Sequence, residues 1–168
     1  GTLVQQPELG NTLRAMASHG RDGFYKGEVA TQLINGVKAA GGIWQAADLN
    51  EYKVIERSPI RFNTSGYEVI SAPLPSAGGI ALAGILQGLA SLPKAEPGSV
   101  TQTHQLVELM RRTYRDRAAL LGDNDFVEVP VKQLISADYA NNLAASIDPQ
   151  HATRSSELGP LIDFVEGN

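Results

Sequence analysis

The stretch YEVISAPLPSAGGIALAGILQGLA, residues 67–90, decides the fold class, because its hydrophobic period changes halfway along. Tyr67–Ala72 is rich in β-branched and aromatic residues, the composition of a strand. Pro73-Leu74-Pro75 then breaks any ladder, since proline has no N–H to donate. From about Ser76 to Ala90 the apolar residues recur at helical spacing. Ile80, Ala83 and Leu86 make one stripe, and Gly84, Ile85 and Leu89 widen it until the helix should be well buried. A strand feeding a buried helix, with no repeat of that unit elsewhere, predicts an α+β arrangement that is rich in helix.

Upstream, Tyr52–Ser58 carries the second strand signal. Pro59 should end that strand and Asn63-Thr64-Ser65-Gly66 should turn the chain, giving an antiparallel pair over about residues 53–72. Asn63-Thr64-Ser65 also fits the glycosylation sequon, a triplet common by chance. Before the strands, a helix is expected from Pro7 to His19, with proline at its first position and Gly20 as its left-handed stop. Leu9, Leu13, Met16 and Ala17 form its apolar stripe. A second helix should span about 27–40 and end at Gly41-Gly42, and a short helical turn should follow over 46–51. Phe24-Tyr25 lies between the first two helices, where packing under a helical hairpin competes with ligand stacking.

Downstream, Pro93–Gly98 reads as a loop. A long helix should cover about 102–120 with Thr101 or Thr103 as its cap. An acidic loop, Gly122–Pro130, precedes a last helix over about 137–147, capped by Ser136 and stopped by Asp148-Pro149. Beyond Gln150 no period is evident until Leu161–Val165, so poor order is expected there.

Composition narrows the chemistry. The chain has 168 residues and no cysteine, which excludes a disulfide scaffold, a thiol nucleophile and thiolate zinc sites. Its net charge is −4, and its densest basic group, Arg111, Arg112, Arg115 and Arg117, is interrupted by Asp116, which argues against nucleic acid. No apolar run is long enough to span a bilayer, and no basic-plus-hydrophobic export segment stands among the first residues.

Several local patterns invite a catalytic reading. Ser76 precedes Gly78-Gly79 at a strand-to-helix junction, but a nucleophile elbow needs glycine where Leu74 stands. Ser76 as a cap with glycines for close packing is one reading. Backbone N–H groups of Ser76, Gly78 and Gly79 facing an anionic substrate is the other. Ser91-Leu92-Pro93-Lys94 has the spacing of penicillin-recognising enzymes, yet Pro93 opposes the helical turn that would bring the lysine to the serine. Asp123, Asp125 and Glu128 suggest a calcium loop, but Glu128 and Leu134 occupy the sixth and twelfth positions, where glycine and glutamate are needed. A solvated turn, or one paired with nearby arginines, fits better. His19, His104 and His151 are far apart in sequence, as helix-end or exposed histidines would be. The residues taken alone assemble no catalytic constellation.

The order of segments says more. Gln6-Pro7-Glu8-Leu9, Gly23-Phe24-Tyr25-Lys26-Gly27, Gly41-Gly42 with Asp48-Leu49 and Tyr52, Pro59, Gly66-Tyr67 and Pro73–Gly79 stand in one succession. Tyr114-x-Asp116-Arg117, Leu121–Val127, Val129-Pro130 and Tyr139-Ala140 complete it. This succession resembles the large subunit of gamma-glutamyltranspeptidases over about residues 2–150. In that family the proline-rich element reads Pro-Pro-Pro-Ser-Ser-Gly-Gly, whereas Leu74 and Ala77 replace a proline and a serine here.

The resemblance implies residues 1–150 as the C-terminal part of a large subunit and 151–168 as a tail leading to an autoprocessing site. Glu166-Gly167-Asn168 resembles the residues just upstream of that cut. The implied fold is an αββα N-terminal-nucleophile hydrolase sandwich, to which this chain supplies helices and one strand pair. The implied activity is hydrolysis or transfer of the γ-glutamyl group of glutathione and related amides, by a threonine in a downstream Thr-Thr-His segment. That mechanism needs no cofactor or metal, and no catalytic residue is carried over to this chain. Implied partners are the small subunit, the remainder of the large subunit and γ-glutamyl substrates, with no nucleic acid and no membrane. A bacterial member is expected in the periplasm or secreted. Alone, this stretch should be inactive and should self-associate. Two alternatives are a related acylase of glutaryl or other β-lactam side chains, and a non-catalytic helical interaction module.

Overall fold

The turn at Ser65-Gly66 sets the only strand register among the described residues. A computed structural model describes residues 1–159, so the readings at Leu161–Val165 and Glu166–Asn168 lie outside the described residues. Ser65 and Gly66 have φ of 49° and 84°, the left-handed pair of a two-residue hairpin turn, which glycine adopts without steric cost. Thr64 therefore pairs with Tyr67, and counting outward pairs Ile60 with Ser71. The strands are β1, Ile60–Thr64, and β2, Tyr67–Ser71. The expected first strand, Tyr52–Ser58, is thus misplaced. Pro59 stands before β1 rather than after it, because a tight turn fixes the register whatever the composition upstream. Ile60 and Phe62 point inward and are buried, while Arg61 and Asn63 face outward.

The chain divides into two compact units, one from Gly1 to Glu56 and one from Arg57 onward. In the first, α1 spans Pro7–His19, α2 Asp22–Tyr25, α3 Gly27–Ala39 and α4 Ala46–Asn50. Gly23 of α2 lies directly on the Ala15 carbonyl of α1, so close that a Cβ there would have no room. Little else is buried: Gly23, Ala30 and Leu49. The expected stripe of α1 is present but uncovered, with Leu9, Leu13 and Met16 being 49 %, 54 % and 41 % exposed. Phe24 packs edge-on to Tyr25, and Tyr25 stacks on Tyr52 at 5.3 Å.

In the second unit, α5 (Gly78–Ser91) follows the hairpin. α6 spans Val100–Leu120, α7 Val131–Leu134 and α8 Ala137–Ala145, and a 3₁₀ turn covers Ser155–Glu157. The buried face of α5 is Gly79, Ile80, Ala83, Gly84, Gln87 and Gly88, with Ile85 and Leu86 only partly buried. It runs antiparallel between α6 and α8. A Cβ on Gly84 would meet Thr113 Cγ2 at 2.6 Å, and one on Gly88 would meet Leu109 Cδ2 at 2.6 Å. Ile60, Phe62, Leu109, Leu134, Leu143 and Ala144 complete the core. Burying a leucine or phenylalanine of this kind contributes about 1.5–3 kcal/mol relative to exposure.

Ser99, not Thr101 or Thr103, caps α6: its Oγ accepts from the Gln102 N–H at 3.1 Å. Ser136 caps α8, accepting from the Tyr139 N–H at 3.2 Å. The stretch after Gln150, expected to be poorly ordered, holds its 3₁₀ turn and bonds to α6 as far as Gly159.

Candidate functional site

The junction between β2 and α5 is where the sequence places Ser76, Gly78 and Gly79. The helix starts two residues later than expected. Ala77 occupies the N-cap position with no side-chain cap bond, and the first backbone bond of the helix runs from the Ala81 N–H to the Ala77 carbonyl at 3.1 Å. Ser76 therefore does not cap as expected, and its Oγ accepts only a long 3.4 Å bond from the Gly78 N–H. The reason is geometric: the Pro73–Ser76 turn, closed by Ser76 N–H to the Pro73 carbonyl at 3.1 Å, places the serine one residue too early.

The two glycines differ. A Cβ on Gly79 would meet the Ala72 carbonyl oxygen at 2.7 Å, so the close approach of helix to strand requires glycine there. Gly78 is exposed and touches only its neighbour's hydroxyl. Ser76 and Gly78 thus face outward beside the first-turn N–H groups of α5, which precede the helix's backbone bonding and carry its positive dipole end. Beneath the same loop opens a cleft of about 400 Å³ whose lining includes Arg57, Arg61, Pro73, Leu74 and Asn124.

Arg57 closes one side of that cleft. Its Nη2 bonds Asp125 Oδ2 at 2.5 Å and lies 3.9 Å from Asp123, and its Nη1 donates to Asn124 Oδ1 at 3.2 Å. The hydrogen bond from Arg57 holds the Asp125 carboxyl below its ordinary range. The acidic loop is thus paired with an arginine, though one distant in sequence rather than those of α6. Among the described residues no group of three or more acidic, histidine or cysteine side chains could hold a metal ion.

The other sequence-level candidates resolve individually. Ser91 donates to the Gly88 carbonyl at 2.8 Å, and Leu92 is extended, so Ser91 and Lys94 share no helical turn. His19 Nδ1 lies 3.2 Å from the Ala15 carbonyl. His104 and His151 do converge, on Asp148: His104 Nε2 is 2.8 Å from its carbonyl oxygen, and His151 Nδ1 is 3.2 Å from Oδ2. The hydrogen bond from the Gln150 backbone N–H, then the one from the His151 ring, lowers the Asp148 carboxyl.

The most buried polar group escapes sequence reasoning. Glu108, Arg112 and Asp116 recur every fourth residue on α6 and are 1 %, 2 % and 3 % exposed. Glu108 Oε2 accepts from Arg112 Nη1 at 2.6 Å and from Thr153 Oγ1 at 2.7 Å, and the Arg111 guanidinium also pairs with Glu108. Burial pushes the Glu108 carboxyl up, but the bonds from Thr153, Arg112 and Arg111 outweigh it and hold the group at about 2. Asp116 takes Tyr139 Oη at 2.8 Å and Arg115 Nε at 2.9 Å. Burial, then the bond to Asp116, raises the Tyr139 phenol. The i, i+4, i+8 spacing is the signal that could have found this ladder.

Comparison with known proteins adds family context. The family model described as Gamma-glutamyltranspeptidase matches residues 1–164. A "Glutathione hydrolase proenzyme" of Pseudomonas sp. (strain A14) is 43 % identical over all of this chain and 30 % of its own length. An "Acylase ACY 1 proenzyme" of Pseudomonas sp. (strain SE83) is 34 % identical, covering 90 % of this chain and 28 % of its own. The crystal structure of Helicobacter pylori gamma-glutamyltranspeptidase superposes with a TM-score of 0.88 at 36 % identity, covering 99 % of this chain and 49 % of that one. The chain therefore spans less than a third of the length of these curated relatives.

Proposed function

Because this chain belongs to the gamma-glutamyltranspeptidase family, we propose that it is part of a self-processing enzyme that hydrolyses or transfers γ-glutamyl groups of glutathione and related amides. The observation that carries the reading is the family match along residues 1–164, joined to similarity over the whole chain with a glutathione hydrolase proenzyme. In this reading the chain is one piece of an αββα sandwich, the remainder supplied by the rest of the large subunit and by a small subunit. A threonine freed by self-cleavage, downstream of the tail at 151–168, attacks the γ-carbonyl, and its own α-amine takes the hydroxyl proton. Water or an amino acid then accepts the glutamyl group. In this reading that threonine, and no residue of this chain, is the nucleophile, and the proposal needs no cofactor. A bacterial member would work in the periplasm or outside the cell.

Ser76, Gly78 and Gly79 are the proposed substrate-facing residues. The position of Ser76 and Gly78, both exposed at the start of α5, supports that role, since the positive dipole end of the helix would favour an anionic portion of the substrate. The test is γ-glutamyl-p-nitroanilide turnover by the complete precursor beside this chain alone. Release by the processed precursor and none by the isolated chain is expected. The isolated chain should also sediment as dimers or larger species at micromolar concentration, since a two-strand sheet has open edges. Turnover by the isolated chain would sink the division of labour. A second reading follows from the likeness to an acylase proenzyme. Preference of the mature enzyme for a glutaryl β-lactam amide over the γ-glutamyl anilide would select it.

A further inference from the structure

Three arginines of α6 reach one after another onto the tail. Arg112 Nη2 donates to Thr153 Oγ1 at 3.1 Å, Arg111 Nη2 to Ser155 Oγ at 3.1 Å, and Arg115 Nη1 to the Gly159 carbonyl at 2.7 Å. Each is itself held: Arg111 and Arg112 by Glu108, Arg115 by Asp116 through Nε at 2.9 Å and Nη2 at 2.5 Å. A planar guanidinium fixed on one edge offers its remaining N–H groups in a set direction. Among the described residues after Gln150 none is buried, so apolar packing does not locate this stretch. Hydrogen bonds do. One bond would tether the segment, whereas three along its length also set its direction.

We infer that Arg111, Arg112 and Arg115 are positioning residues that clamp residues 153–159 and thereby aim the segment that follows at the self-cleavage reaction; this rests on the self-processing reading above. Displacing a reacting peptide by about 1 Å can cost on the order of a hundred-fold in rate. Slack in the clamp should therefore appear in maturation before it appears in folding.

The test uses the complete precursor, with self-cleavage followed on gels and melting followed in parallel. Arg115→Met should cleave about ten-fold more slowly or worse, and Arg115→Lys, which can still donate to the Gly159 carbonyl, should recover most of the rate. The pair Thr153→Val with Ser155→Ala leaves every α6 ion pair in place and should also slow cleavage several-fold, with a melting temperature within about 4 °C of the parent. That pair decides the matter if Arg115→Met fails to fold. Once cleaved, all variants should show unchanged kcat and KM for γ-glutamyl-p-nitroanilide. A folded pair variant that cleaves at the parental rate, or a lysine no better than methionine, overturns the clamp while leaving the enzyme assignment standing. A parental precursor that never cleaves overturns both.

Discussion

The unit ending at Glu56 and the unit beginning at Arg57 are both helical, yet they bury their side chains in opposite ways. In the first, α1 is a well-formed helix with proline at its start and an apolar stripe, and none of its residues is buried. In the second, α5 is flanked by α6, α8 and β1, and Ala83, Leu109, Ala140 and Leu143 are all 0 % exposed. The difference teaches that periodicity specifies a helix and its apolar face, but says nothing about whether a partner for that face lies nearby in the chain.

That contrast can be broken by placing the same charge in both units. Leu143→Asp should cost on the order of 4 kcal/mol or more, because an unpaired carboxylate would enter a closed core. Loss of less than about 1 kcal/mol in urea unfolding would mean that the second unit's core is looser than its burial implies. A smaller effect belongs to Glu108, whose partners lie entirely within the second unit. Its folded pKa, about 2, is below its ordinary 4.5, so its contribution is complete above the unfolded value and fades as pH falls through the folded one. That contribution is roughly 3 kcal/mol at most. Between pH 5 and 2, Glu108→Gln should lose less stability than the parent. Equal slopes would show that the carboxylate is not held by its arginines. The smallest change is expected at the counterpart of Leu143. Leu13→Asp, on a side chain 54 % exposed, should shift stability by no more than about 0.5 kcal/mol. A larger loss in the thermal midpoint would show that the stripe of α1 is covered in solution.

Legibility in the sequence follows the same division between local and distant causes. α1 is readable to the residue because Pro7 and Gly20 mark its ends chemically. The hairpin turn is readable for the same reason, while β1 is not. Composition favours Tyr52–Ser58, and only counting back from Ser65-Gly66 moves the strand beyond Pro59. The cap of α6 is missed by two residues because serine and threonine cluster there, and only geometry selects Ser99. At the candidate site, the exposed glycine beside Ser76 is legible from the proline-glycine punctuation. The hydroxyl's weak bond is not, because it depends on where the preceding turn closes. The α6 ladder is hidden by its charges. Read by sign, Arg111–Arg117 looks like a basic surface, whereas read every fourth residue from Glu108 it is a buried seam of alternating charge.

The glycines of α5 carry a mechanical consequence. Gly84 receives Thr113 and Gly88 receives Leu109, two notches and two teeth with the same four-residue spacing, about 6 Å along each axis. Sliding α5 past α6 by a single residue, about 1.5 Å, would drive a methyl group into a backbone with no room for it. The pair therefore behaves as a rack that resists axial shear in both directions. A pull on the hairpin at one end of α5 would be passed to the far end of α6 as a rigid displacement, with little of it absorbed by slippage between them.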